Sequence, residues 1–172
     1  MANQVVITIQ SVLRRAIPQN MNHIANKKKK TCKPVDEKEY LEGTVDRCGT
    51  PDCILSNERG GVYGFAIRLK TREDKKNFYN HIIERGRKRN NISLDEWNSI
   101  GNNYYPLYWG KDVNLGFRLY EHTKNSKTCA SIALSEEEFY GYEIIYGAVL
   151  CDNRDVYEGI LHNDYKDLLR NL

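Results

Sequence analysis

Two phenols, a guanidinium, an imidazole and a carboxylate stand in one order along the chain. Tyr63 lies in Gly61-Val62-Tyr63 and Tyr108 in Tyr108-Trp109-Gly110-Lys111; Arg118, His122, Glu158 and Asn171 follow. Residues of these types can hydrolyse a phosphodiester with the help of one metal ion. A phenol acidified by a nearby cation, or relayed through an imidazole, can activate water for in-line attack on phosphorus, a role open to Tyr63 with His122. Tyr108 would orient the water or the phosphate. Arg118 and His122 are four apart, so on one helix they share a face, the guanidinium free to pair with a phosphate while the imidazole accepts a proton. Lys111 adds a second cation. Glu158 adds a carboxylate able to hold a hard divalent cation, and Asn171 a neutral amide.

Singly, each of these residues has a plainer role. Strands favour aromatics, and the chain has 12 Tyr from which two strand positions could be filled. A helical Arg and His commonly face solvent, as does a lone Glu. Weight comes from the joint order. In that order the chain resembles the GIY-YIG nuclease superfamily, in which one strand carries G-[IV]-Y, a second carries Y-[IV]-G, the next helix supplies Arg and often His, and a later helix supplies a metal-binding Glu. Gly61-Val62-Tyr63 and Tyr108-Trp109-Gly110 match the two half-motifs, Trp109 standing where an aliphatic residue is usual. The resemblance runs from about Gly60 onward.

It implies an α+β fold, a small three-stranded antiparallel sheet flanked by helices. Two additions are expected: an N-terminal extension over residues 1–59, serving DNA recognition or dimerisation, and a helical insertion at about 70–103 within the first hairpin of a 60–172 catalytic core. Such an insertion is tolerable because loop-closure entropy grows slowly with length. The apolar run from Val62 to Leu69 predicts the first strand, Tyr104 to Trp109 the second and Tyr142 to Leu150 the third. Val5, Ile9, Val12, Leu13 and Ile17 recur at helical spacing before Pro18, although Val5-Val6-Ile7-Thr8-Ile9 could also extend as a strand. A helix over about Glu73 to Arg85 would turn Phe78, Ile82 and Ile83 to the core. Ser93 and Glu96 have the capping-box spacing for a short helix through Ile100, and Asp152 or Asn153 could cap the helix that presents Glu158.

The net charge of +3 is mild, but its distribution is uneven. Lys27 to Lys30 form one basic run; Arg68, Lys70, Arg72, Lys75, Lys76, Arg85, Arg87, Lys88 and Arg89 form another. Charge runs are usually solvated faces. This second run would flank the hairpin of Tyr63 and Tyr108, where cations gain affinity for DNA through counterion release. No apolar stretch is long enough to span a membrane and no secretory signal opens the chain, so a cytoplasmic location is expected. Cys32, Cys48, Cys53, Cys129 and Cys151 are read as reduced thiols. A zinc site from Cys32, Cys48, Cys53 and His23 is the competing reading, weakened by irregular spacing, and Cys129 and Cys151 suit small core positions.

The resemblance then implies a metal-dependent DNA endonuclease, of the kind represented by small stand-alone type II restriction enzymes. It would use Mg²⁺, with Mn²⁺ as a substitute, act on double-stranded DNA and dimerise to cut both strands. The other class is a catalytically silent module of the same fold that binds nucleic acid or protein. Such a module has no chemical need for Tyr63, Tyr108, Arg118, His122 and Glu158 together.

Overall fold

Strands buried on both faces organise the centre of the molecule. The structure, a computed structural model, describes residues 9, 12–13, 40–45, 60–86, 91–123 and 131–169. Its sheet has four antiparallel strands in the order β1-β4-β2-β3: β1 (Tyr40–Val45), β2 (Gly61–Arg68), β3 (Tyr104–Asp112) and β4 (Ile144–Leu150). The expected three-stranded unit is β4-β2-β3, with Gly61-Val62-Tyr63 on its central strand. The fourth strand was not foreseen. Residues 40–45, within the expected N-terminal extension, pair with β4 from Tyr40↔Val149 to Val45↔Ile144 and so belong to the sheet.

Each face of the sheet has its own core. Tyr63, Phe65 and Ile67 point to one face, where α1 (Arg72–Glu84) and α2 (Leu115–Thr123) cover them through Phe78, Tyr79, Ile82, Leu115 and Leu119. Val62, Ala66, Ile145 and Val149 point to the other, where α3 (Arg154–Asp164) packs through Tyr157 and Leu161. Ile9, Val12 and Leu13 are helical and buried on this second face, as their spacing predicts. Gly147 makes room for them, since a Cβ there would collide with Ile9.

A local signal sets the start of α1. Thr71 and Asp74 form a reciprocal capping box at the start of α1, the Thr71 hydroxyl accepting from Asp74 N at 3.0 Å and the Asp74 carboxylate from Thr71 N at 2.9 Å. Ile83, expected in the core, is 46% exposed, and Tyr79 takes the inward position with its hydroxyl donating to Ile92 O at 2.7 Å. Ser93 and Glu96 do exchange capping hydrogen bonds, but residues 94–96 close a single turn instead of starting a helix. Trp97, fully buried and donating from Nε1 to Pro106 O, fixes the chain there. Asn153 is the N-cap of α3 with left-handed backbone (φ 55°), and its side chain makes no capping hydrogen bond.

Two features of β3 position the site. A bulge between Phe65 and Ala66 in the β2 register sets Phe65 opposite Tyr108 and Ala66 opposite Pro106, leaving Leu107 as the extra residue. Both Leu107 and Tyr108 then join the core that holds Tyr63. The outer edge of β3 is covered by the segment after α3, where Leu168 N and Leu169 N donate to Pro106 O and Leu107 O at 3.3 and 2.8 Å.

Candidate active site

Tyr63 and Tyr108 share a sheet face because Tyr63 pairs with Gly110 and Phe65 with Tyr108. Their rings lie 6.1 Å apart between centroids. Gly110 is what permits this, since a Cβ there would come within 2.5 Å of the Tyr63 hydroxyl. Trp109, on the opposite face, lies over Gly64 and donates from Nε1 to Tyr165 O at 2.6 Å, so the large ring at this motif position anchors the segment after α3.

From α2, Arg118 and His122 reach the same point. The loop before the helix is tied by Asp112, whose carboxylate accepts from Asn114 N at 2.8 Å. His122 is fully buried, with Nε2 2.6 Å from the Tyr63 hydroxyl oxygen and its ring stacked at a tilt against Tyr108, centroids 4.9 Å apart. Burial, then the Arg118 charge, drives its pKa down to about 3, so the ring is neutral. Its Nδ1 accepts the backbone N–H of Ile132 at 3.1 Å. The proton of the neutral ring therefore sits on Nε2, which donates to the Tyr63 oxygen. This reverses the expected relay. His122 is not a proton acceptor in this arrangement, but a fixed donor that would stabilise a Tyr63 phenolate.

Opposing influences meet at Tyr63. Burial, then Tyr108, raises its pKa well above the usual phenol value, while Arg118 opposes them by charge and hydrogen bonding. Burial works against the Arg118 charge, but Tyr63, Glu121 and Tyr108 outweigh it and raise its pKa above the usual guanidinium value. Its guanidinium donates to Glu121 at 2.9 Å and lies 4.0 Å from Asp112. Tyr108 is also raised, chiefly by burial, with Arg118 acting against Glu158 and Asp167. It is the joint between the two halves of the site.

The second half lies beyond β3. Lys111 shares the sheet face of Val62, with which it is paired, and so turns toward α3. There its ammonium meets Asp155 at 2.5 Å and Glu158 Oε2 at 3.0 Å. Burial pushes the Glu158 carboxyl up, but His162 and Lys111 together hold it below the usual carboxylate range. Glu158 thus already stabilises one cation, and its side chain remains 21% exposed. Among the described residues no group of three or more His, Cys, Asp or Glu side chains is arranged so that it could hold a metal ion. This donor set fits a hard cation that retains most of its water, as Mg²⁺ does.

Four of the expected catalytic residues, Tyr63, Tyr108, Arg118 and His122, come together directly, whereas Lys111 and Glu158 pair with each other on the other sheet face and reach this group through the charge of Glu158 on Tyr108. Asn171 lies outside the described residues, as do Arg87, Lys88, Arg89, Lys27 to Lys30, His23, Cys32, Cys48, Cys53 and Cys129. Cys151 is a free thiol packed against the second core, its pKa pushed up to about 12 by burial. The remaining cations sit at the other end of the hairpin. Arg68 is five residues beyond Tyr63 on β2, about 16 Å at strand rise. It pairs with Glu143 at 3.3 Å, Arg85 pairs with Glu137, and Lys75 lies over the Tyr105 ring. Lys70, Arg72 and Lys76 are exposed. Two buried participants were missed from sequence, His162 and Asp167, whose side chains meet at 2.9 Å behind Glu158. The i,i+4 spacing of Glu158 and His162 was legible; the return of Asp167 to that helix was not.

Comparison with known protein families, with curated proteins and with solved structures gave no match. Among the described residues no helix is long and apolar enough to cross a membrane.

Proposed function

We propose that this chain is a metal-dependent endonuclease of the GIY-YIG type that hydrolyses DNA phosphodiester bonds in the manner of a small type II restriction enzyme. The observation that carries the reading is the convergence of Tyr63, Tyr108, Arg118 and His122, from two strands and one helix, on one point, with the Tyr63 oxygen 2.6 Å from His122 Nε2. A purely structural tyrosine has no need of a charged guanidinium and a tautomer-fixed imidazole at its hydroxyl.

Each residue has a task in this reading. Arg118 binds the scissile phosphate, exchanging its bond to Glu121 for one to a phosphate oxygen. Tyr63, once ionised, takes the proton of the attacking water, and Arg118 and the His122 N–H stabilise the phenolate. Tyr108 orients the water or the phosphate. Glu158, now paired with Lys111, would hold a divalent cation, Mg²⁺ or Mn²⁺, which would supply charge stabilisation at the leaving 3′ oxygen. Cutting both strands of a duplex calls for two copies, so the working form is a homodimer.

Digestion of a mixture of long DNAs with Mg²⁺ or Mn²⁺, resolved on a gel, tests the reading. Discrete bands from wild type and intact DNA from Glu158→Ala support it. A smear from wild type removes the sequence specificity, and intact DNA under every condition removes the enzyme.

A further inference from the structure

The two halves of the site lie on opposite faces of the sheet, Tyr63 and Arg118 on one, Lys111 and Glu158 on the other. A DNA strand that engages both must pass over the end of β3, at Asp112 and Val113. Val113 is 68% exposed, so no described part of the chain covers this crossing. Arg118 reaches it from one side, with Nε 4.0 Å from the Asp112 carboxylate. From the other side comes Arg154, the first residue of α3. Its Nη1, the Asp112 carbonyl oxygen and Val113 Cα all lie within 3.0 Å of one point, where a Cβ on Gly60 would stand. Gly60 lacks that atom and so leaves room for the guanidinium, while its own carbonyl accepts the backbone N–H of Cys151 at 3.3 Å.

The other cations at this end already meet carboxylates. Lys111 is paired with Asp155 and Glu158, and Arg118 with Glu121. Arg154 makes no ion pair or hydrogen bond with any described residue, and its charge is felt only at the Cys151 thiol. A cation in the first turn of a helix also stands against the macrodipole, so the fold itself does not favour one there. The planar guanidinium fork matches the oxygens of a phosphate. Half-buried beside Gly60, Arg154 is held at the crossing with its donors left to a ligand.

We propose that Arg154 binds a backbone phosphate next to the scissile one as the DNA strand passes from the Arg118 side of the sheet to the Glu158 side. This rests on the reading of the site as a nuclease, and adds to it a substrate-binding residue outside both half-motifs. Arg154 and Glu158 are four apart on α3 and share a face, so a phosphate on Arg154 sets the strand beside the carboxylate. The contact explains how residues on two sheet faces act on one phosphodiester. Phosphate contacts position a strand and carry no sequence information, so the effect of Arg154 is the same on unrelated duplexes.

The test titrates the full chain, as wild type, Arg154→Gln and Arg154→Lys, onto fluorescein-labelled duplexes of unrelated sequence. A chelator keeps the DNA intact, and fluorescence anisotropy reads binding over a range of salt concentrations. Arg154→Gln should bind every duplex about tenfold more weakly at low salt, with a slope of log affinity against log salt lower by about 0.9. Arg154→Lys keeps the charge and should keep the slope. Because no hydrogen bond or ion pair within the described chain is lost, Arg154→Gln should melt no lower than wild type. Wild-type affinity and slope in Arg154→Gln overturn the phosphate contact and leave the nuclease reading standing. Failure of Arg154→Gln to fold, or a lower melting temperature with an unchanged slope, makes the guanidinium structural and overturns the contact too. No binding of any duplex by wild type at any salt concentration overturns both the contact and the nuclease reading.

Discussion

At the residue scale the decisive group is the Tyr63 hydroxyl, held at 2.6 Å by His122. Tyr63→Phe should reduce cleavage on the order of 10²–10⁴-fold, the usual contribution of a positioned general base. The same change strips the acceptor from a buried imidazole N–H, so it should also lower stability by about 1–3 kcal/mol, measured by denaturant titration. Because burial and Tyr108 raise the Tyr63 pKa, the reactive phenolate is the minor form at neutral pH. Single-turnover rates should rise steadily from neutral into alkaline pH, and a plateau at neutral pH would remove Tyr63 as the base. His122 gives a separate acid signature. Its folded pKa of about 3 lies below the unfolded value of 6.5, so between these limits the unfolded chain binds a proton that the folded chain refuses. Stability should fall as pH drops through that window, by up to about 1.4 kcal/mol per pH unit from this residue. The melting temperature of His122→Gln should depend less on pH there; equal dependence in the two proteins would contradict the buried neutral ring.

At the element scale, close approaches between backbone and side chain set the geometry. Gly110→Ala would drive a methyl into the Tyr63 hydroxyl. Cleavage should fall far more than stability, as seen by comparing single-turnover rates with melting curves. Gly147→Ala acts on the second core, where the new methyl meets Ile9. It should cost about 1–3 kcal/mol of stability, as overpacking does, and a neutral result would mean that the Ile9 helix is not held against β4. These elements differ in how far the sequence disclosed them. The apolar run from Val62 to Leu69 and the tyrosine-rich second strand predicted β2 and β3, and the four-residue spacing put Arg118 and His122 on one helix. Strand β1 was not legible, since Tyr40-Leu41-Glu42-Gly43-Thr44-Val45 has little alternation and pairs only with a strand about a hundred residues later. The direction of the His122 hydrogen bond was also out of reach. It depends on Ile132 N, a backbone group placed by tertiary structure.

At the scale of the whole molecule, the candidate site and the exposed cations Lys70, Arg72 and Lys76 occupy opposite ends of one hairpin. Tyr63 lies near the start of β2, whereas α1 departs just beyond its last residue, Arg68. DNA that engages both must run along the hairpin. Replacing Lys70, Arg72 and Lys76 together by Ala should then lower the slope of log affinity against log salt by about 0.9 for each cation that meets a phosphate. An unchanged slope would show that this face does not touch DNA. The most direct test of the proposed chemistry is single-turnover cleavage of an end-labelled duplex by wild type, Tyr63→Phe and Glu158→Ala, with and without a chelator. A metal-dependent nuclease built on this site cuts only as wild type with divalent metal present. Equal cutting by all three proteins, or cutting that survives the chelator, would contradict it.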